Sequence, residues 1–336
     1  MSNLKNILTS KISCKSVWFM RQAGRYLPEF RKIRSQNSNF IKLCLNSELS
    51  SQITLQPINR FNLDSAIIFS DILMVPHALG QEVNFVKDQG PKLNKFNTNT
   101  FLNNTNKDFS KKLSPIYQSI EIVRKKLHKK KSLISFVGAP WTLLVYMLNA
   151  RTSKNEIDIE KIDNINPNLD EILETLIKYL CLHIKNQINA GADVVQIFDS
   201  WAGFIPEKYI RAYCFEPNLK IVDFCKKNGI PNICFPKGIK KKYEDFNKFV
   251  KPDGLNIDFE IEPDWAREKL TNVVLQGGLH PNVLLKNKNE IYEEATKYIK
   301  AFKDIPYVFN LGHGLLPQTD PDNVEQLVNF YRNFNG

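Results

Sequence analysis

The chain has 336 residues, 43% hydrophobic and 24% charged, the balance of a globular protein with a large core, and its length accommodates either two domains or one eight-stranded α/β barrel. Basic residues outnumber acidic ones 46 to 35, a net charge of +11 that favours anionic partners: nucleic acid, an acidic membrane surface or a polyanionic small molecule. No window approaches about 18 uninterrupted apolar residues, so no membrane-spanning helix is expected, and six scattered cysteines without a C-x-x-C pair fit the reduced thiols of a cytoplasmic protein.

The start, MSNLKNILTSKISCKS, resembles a transit peptide weakly but runs directly into an apolar segment, and is expected to form a first short helix. WFMRQAGRYLPEFRKIR (18–34) follows. It holds four of the chain's ten arginines, Arg21, Arg25, Arg31 and Arg34. Arginine grips carboxylates or phosphates with a planar fork, whereas lysine is a flexible point charge. A site built for anions and a solvated helix face both account for the cluster.

Short apolar runs then recur: SVWFMR (16–21), SAIIFSD (65–71), SLISFVGAP (132–140), ADVVQIFDS (192–200), PNICFP (231–236), GLNIDF (254–259), VVLQGG (273–278) and PYVFNLGHG (306–314). Runs without polar alternation are expected of parallel strands covered on both faces. Residues 87–113, rich in Asn, Thr and Lys, break the rhythm as a surface excursion. Helical spacing marks 169–191, 206–229, 263–270 and 289–302. About eight alternations of strand and helix favour a closed barrel over an open doubly wound sheet. The lysine runs 124–131 and 237–248 read as solvated faces, and no nucleic-acid-binding signature accompanies them.

In such barrels reactive groups gather where strands run out into loops. Those exits carry Arg21-Gln22, Asp71, Pro140-Trp141, Asp199-Ser200, Asp258 and His313. Each has a plainer account: Asp71 or Ser200 as a helix cap, His313 as a turn between two glycines, Tyr146 as core. There is no P-loop, no G-x-G-x-x-G after a strand, no G-x-S-x-G elbow and no His/Cys cluster spaced for zinc.

Five segments together, WFMRQAGRYLPEFRKIR, TLQPINRFNLDSAIIFSDIL (54–73), GAPWTLLVYML (138–148), VVQIFDSWAG (194–203) and FNLGHGLLPQTDP (309–321), closely resemble the uroporphyrinogen decarboxylases, in the family's order and across essentially the whole chain. The resemblance implies a single distorted (β/α)8 TIM-type barrel spanning residues 1–336, a homodimer, and a cofactor-independent carboxy-lyase of haem biosynthesis. Such an enzyme removes CO2 from each acetate of uroporphyrinogen III to give coproporphyrinogen III. By motif match it implies substrate contacts at Arg21, Gln22, Ala23, Gly24 and Arg25 of RQAGR, Asp71 of FSDIL, Tyr146 of LVYML, Ser200 of FDSWAG and His313 of LGHG. Asp71 is expected to be the catalytic group, stabilising a protonated pyrrole, and Arg34 a further arginine near the substrate. No metal is implied. The proton donor stays open between Arg21 and His313. LQGGLHP (275–281) departs from the family's usual LQGNLDP at Gly278 and His280, and His280 is not expected to be a second catalytic histidine. The rival within the fold is a barrel methyltransferase acting on a corrinoid or thiol substrate, which requires a zinc-bound His/Cys set.

Overall fold

The computed structural model describes residues 3–86, 90–153, 156–163 and 168–334. Among them, seven parallel strands form one curled sheet: β1 (Ser65–Ile67), β2 (Ser132–Gly138), β3 (Val194–Asp199), β4 (Asn232–Pro236), β5 (Gly254–Ile257), β6 (Val274–Gly277) and β7 (Tyr307–Val308). Each pairs with the next in sequence. A doubly wound sheet would reverse its strand order partway; this one does not. All seven strands lie inside the runs expected from the sequence.

The run at 16–21 is less regular. Phe309 N–H donates to the Ser16 carbonyl at 2.8 Å, Trp18 N–H to the Phe309 carbonyl at 3.3 Å, and Asp64 N–H to the Val17 carbonyl at 2.9 Å. The segment thus lies between the two outermost strands, yet only Val17 and Phe309 form a ladder bridge. The chain then turns, because the Gln22 side chain accepts the Phe19 N–H at 3.1 Å. Asp64 fastens the C-terminal helix here too: it accepts Val17 N–H and an Arg332 guanidinium N–H, both at 2.8 Å.

Alternate strand residues point to two separate cores. Trp18, Ile67, Ile134, Val194, Ile233, Phe235, Val274 and Val308 cluster on the concave side of the sheet, plugged by Leu4, Ile7 and Leu8 of the helix Asn3–Ser10. The outer face packs against the helices. Above the plug the interior turns polar. Trp18 Nε1 donates to Gln276 Oε1 at 3.0 Å, and Gln276 Nε2 donates to Gln196 Oε1 at 3.0 Å and Asn256 Oδ1 at 2.8 Å.

Two expected elements differ. The helix expected over 206–229 is broken into a 3-10 turn (Glu207–Tyr209), a π turn (Arg211–Phe215) and an α-helix (Glu216–Lys227). Pro217 has no N–H to give the preceding turn, and a widened turn accommodates the missing bond. The excursion at 87–113 is more ordered than expected from residue 90 onward; 87–89 lie outside the described residues. Gly90–Leu93 pairs with Val83–Val86, and Phe101, Phe109 and Leu113 are buried in the main core.

Gly254 makes room for the plug: a Cβ there would lie 2.8 Å from Leu8 Cδ2. Leu8→Ala is expected to cost about 2–4 kcal/mol in urea unfolding and Gly254→Ala about 1–3 kcal/mol. The double variant should lose at least ~1 kcal/mol less than the sum, because the new methyl enters the space vacated. Strict additivity would contradict this packing.

Candidate active site

The exit of β1 carries Asp71. Phe69 N–H donates to Thr54 Oγ1 at 2.8 Å and Ser50 Oγ to the Phe69 carbonyl at 2.6 Å, so the helix Ser47–Arg60 fixes the exit. One Asp71 oxygen accepts the Leu73 N–H at 2.8 Å. Water still reaches this carboxyl, but protein crowds it on most sides, as on the wall of a deep concavity. Burial raises its pKa to about 6, while the Leu73 N–H and the charge of Arg21 pull it back down.

Arg21 approaches from the segment beyond Val17. Its backbone lies in the left-handed region, φ 61°, a conformation that costs a non-glycine residue free energy and persists only where its surroundings enforce it. Gln22 is part of the enforcement: its buried carboxamide takes the Phe19 N–H and donates to the Ser65 carbonyl at 3.1 Å. Tyr26 Oη donates to the Gln22 carbonyl at 2.8 Å. Gly314 is the rest, since a Cβ there would lie 2.4 Å from Arg21 Cδ. Burial lowers the Arg21 pKa, as does neighbouring Arg25; Tyr146 and Asp71 act oppositely.

Tyr146 stands near the end of the helix Pro140–Met147. Burial pushes its phenol up, and it is close enough to Asp71 and Arg21 to feel both charges. Trp201 meets it edge-on at 6.1 Å. Ser200, in the turn leaving β3, adjoins Trp201 and is half-buried. His313 lies between Gly312 and Gly314. Burial, then the charges of Arg21, Lys237 and His280, lower its pKa to about 3. An imidazole expected to titrate near neutrality is therefore neutral in the free protein.

The structure thus brings Arg21, Asp71, Tyr146 and His313 together, with Arg25 beside Arg21 and Ser200 one residue from Trp201. Ala23 and Gly24 are half-buried in the same loop. Gln22, by contrast, turns inward and holds the loop. Arg34 bonds the carbonyls of Asn37 and Ser38. Two other exit carboxylates are also used internally. Asp199 accepts Thr142 Oγ1–H at 2.6 Å and Asn218 Nδ2–H at 3.3 Å; Asp258 accepts Gly238 N–H at 2.7 Å and Tyr243 Oη–H at 3.1 Å. Trp141 is fully buried, its indole N–H on the Trp201 carbonyl at 3.0 Å. His280 caps the turn Pro281–Leu285 by accepting the Asn282 N–H on Nδ1 at 3.0 Å. Gly278, φ 99°, leaves room for Tyr298, whose ring a Cβ would meet at 2.4 Å.

Sequence reasoning passed over Lys237, Trp201 and Arg151, whose guanidinium lies 5.6 Å over the Trp201 ring. Lys237 satisfied the strand-exit rule, one residue past Pro236, but was absorbed into a lysine run. Among the described residues, no three or more His, Cys, Asp or Glu side chains converge as metal ligands would.

The chain matches the family model described as uroporphyrinogen decarboxylase (URO-D) over residues 4–334. It is 41% identical over 323 residues to a uroporphyrinogen decarboxylase of Orientia tsutsugamushi (strain Boryong), covering 95% of this chain and 94% of the relative. The uroporphyrinogen decarboxylase of Rickettsia felis is 40% identical over 335 residues, covering 99% and 97%. A solved methyltransferase from Methanosarcina mazei superposes with TM-score 0.79 across 98% of this chain and 97% of its own, at 15% identity, a likeness of fold alone. With the family match running from the first helix through the last, this chain belongs to the uroporphyrinogen decarboxylase family.

Proposed function

We propose that this chain converts uroporphyrinogen III to coproporphyrinogen III, releasing the four acetate carboxyl groups in succession as CO2. The observation that carries the reading is Asp71: a part-buried carboxylate beside Arg21, which with neighbouring Arg25 is a cation without a carboxylate within 4.0 Å among the described residues. A ring bearing carboxylates outside and pyrrole N–H donors inside matches that pattern: cations toward the rim, an acceptor at the centre. Charge-assisted bonds of this kind contribute about 1.5–3 kcal/mol each when shielded.

The reaction needs a place for an electron pair. Protonation of a pyrrole ring makes it cationic, and the bond between the acetate methylene and its carboxylate then breaks with its electrons drawn into the ring. CO2 departs; the exocyclic methylene takes a proton and the ring gives one up, leaving a methyl group. One proton is consumed per CO2 and nothing is oxidised. Asp71 accepts the pyrrole N–H bonds and offsets the positive charge the ring gains on protonation, a charge the neutral substrate lacks, so it stabilises the protonated ring and the transition states that flank it more than the substrate. Tyr146 and Ser200 orient side chains by neutral hydrogen bonds, and His313 contacts the substrate as a neutral imidazole. The same reading makes residues 1–336 one distorted (β/α)8 barrel, with 16–20 as its remaining stave, and has the chain act as a cytoplasmic homodimer without a cofactor. The hydrogen bonds of Ser16–Trp18 to Phe309 and Asp64 support that closure.

Purified protein incubated anaerobically with uroporphyrinogen III should yield hepta-, hexa- and pentacarboxylate intermediates and then coproporphyrinogen, by chromatography of the oxidised products; unchanged substrate would defeat the reading. As Asp71 must be ionised, kcat/KM should fall tenfold per pH unit below about pH 6, whereas a profile flat down to about pH 5 would contradict its role. Gly314→Ala should displace the Arg21 stem and lower kcat/KM by about 10- to 100-fold in a folded protein. Wild-type kinetics in that variant would mean the contact does not position Arg21.

A further inference from the structure

Resting on the decarboxylase reading, we propose that Lys237 is a substrate-binding residue of the same cavity, its ammonium holding a carboxylate on a pyrrole ring other than the one that reacts. The first ground is its missing partner. Among the other half-buried lysines, Lys131 donates to the Leu63 carbonyl, Lys242 to Glu207 at 2.5 Å and Lys269 pairs with Glu268 at 2.7 Å; Lys5, in the plug helix, makes no such bond but lies away from this end of the sheet. Lys237 is half-buried and makes no such bond to the described residues, nor does a carboxylate oxygen lie within 4.0 Å. Lys240 and Lys241, in the same run, are exposed and hydrated. A cation drawn partly out of water with nothing to pair with is poised for an anion that arrives.

The second ground is location. Lys237 leaves β4 at the sheet end that carries Asp71 and His313, and its charge is felt by His313. Asp258, the carboxylate of the adjoining β5 exit, is occupied by the Gly238 and Glu260 N–H groups and the Tyr243 hydroxyl. The third is rigidity. Lys237 N–H donates to the Asp199 carbonyl at 3.1 Å, and its carbonyl accepts the Gly203 N–H at 2.9 Å. Gly203 lies so close to Gly238 that a Cβ would sit 2.6 Å from the Gly238 oxygen. The side chain is thus presented from a backbone held on both sides, and the ordering required when an anion binds is confined to the lysine stem.

A carboxylate on a ring that does not react keeps its charge as CO2 leaves another ring, so this contact is made about equally in the ground and transition states, and its loss should appear in KM and not in kcat. The test compares wild type, Lys237→Met, Lys237→Gln and Lys237→Arg. Two readouts are used: fluorescence titration with uroporphyrin, the oxidised and unreactive octacarboxylate, and steady-state turnover of uroporphyrinogen. Lys237→Met and Lys237→Gln should raise Kd and KM about five- to twentyfold with kcat within about twofold, and Lys237→Arg should recover most of the loss. Kd and KM within about twofold of wild type in both neutral variants would overturn the proposal. So would a fall in kcat or thermal midpoint that Lys237→Arg does not rescue, since that marks a structural lysine. A wild-type protein that neither binds uroporphyrin nor turns over uroporphyrinogen removes the decarboxylase reading and this proposal with it. Wild-type turnover with indifferent neutral variants removes Lys237 alone.

Discussion

Desolvation of the Asp71 carboxyl, opposed by the Leu73 N–H and then by the charge of Arg21, is the interaction around which the rest of the site is arranged. The group's pKa rises from 3.8 to about 6 on folding, so ionising it works against the fold. Its favourable contribution to stability is fully present below the unfolded value and is lost as pH rises through about 6. At neutral pH the protein therefore carries a carboxylate that its own structure disfavours. Such a charge is a poor choice for stability and a good one for catalysis, because a cation developing beside it is stabilised where protein replaces much of the surrounding water.

Much of the surrounding architecture keeps this pair in place. The Arg21 backbone is strained, and three independent features hold it: the Gln22 carboxamide, the Tyr26 hydroxyl and the close passage over Gly314. Met20 N–H donates to the buried Asn310 Oδ1 at 3.2 Å, which also accepts the Leu311 N–H at 2.8 Å, joining the arginine loop to the LGHG loop. Gly312 abuts Phe259, where a Cβ would lie 2.4 Å from the backbone nitrogen. Glycine serves here as close approach between loops, so replacing one moves a neighbour's backbone or a catalytic side chain. The interior glutamines and asparagines below form a hydrogen-bonded floor between the greasy plug and the charged mouth.

The strands were legible because a strand covered on both faces carries a mostly apolar run without alternation, broken here by single residues such as Gln196, Asn256 and Gln276. The grouping of Arg21, Asp71 and His313 was legible for a related reason: strand exits share one end of the sheet; Tyr146, late in the helix Pro140–Met147, was pointed to only by the family resemblance. What could not be read was the use made of each exit group. Asp71, Asp199 and Asp258 are the same residue type at equivalent places, and only packing decides that Asp199 meets Thr142 and Asn218 while Asp71 keeps an oxygen for the cavity. Likewise Gln22 in RQAGR turns inward because Ser65, distant in sequence, supplies its acceptor. Lys237 was hidden by its neighbours in a lysine run, and the neutrality of His313 by its burial and the cations around it, which no local window contains.

The account depends most on the negative charge of Asp71 opposing positive charge on the substrate ring. The most direct measurement is the single-turnover rate of first CO2 release in Asp71→Asn, alongside uroporphyrin affinity. The amide keeps the shape and can still accept the Leu73 N–H. The expected result is a rate lowered by about 10²–10³-fold with affinity within about threefold of wild type. A first-turnover rate within about twofold of wild type would contradict the account.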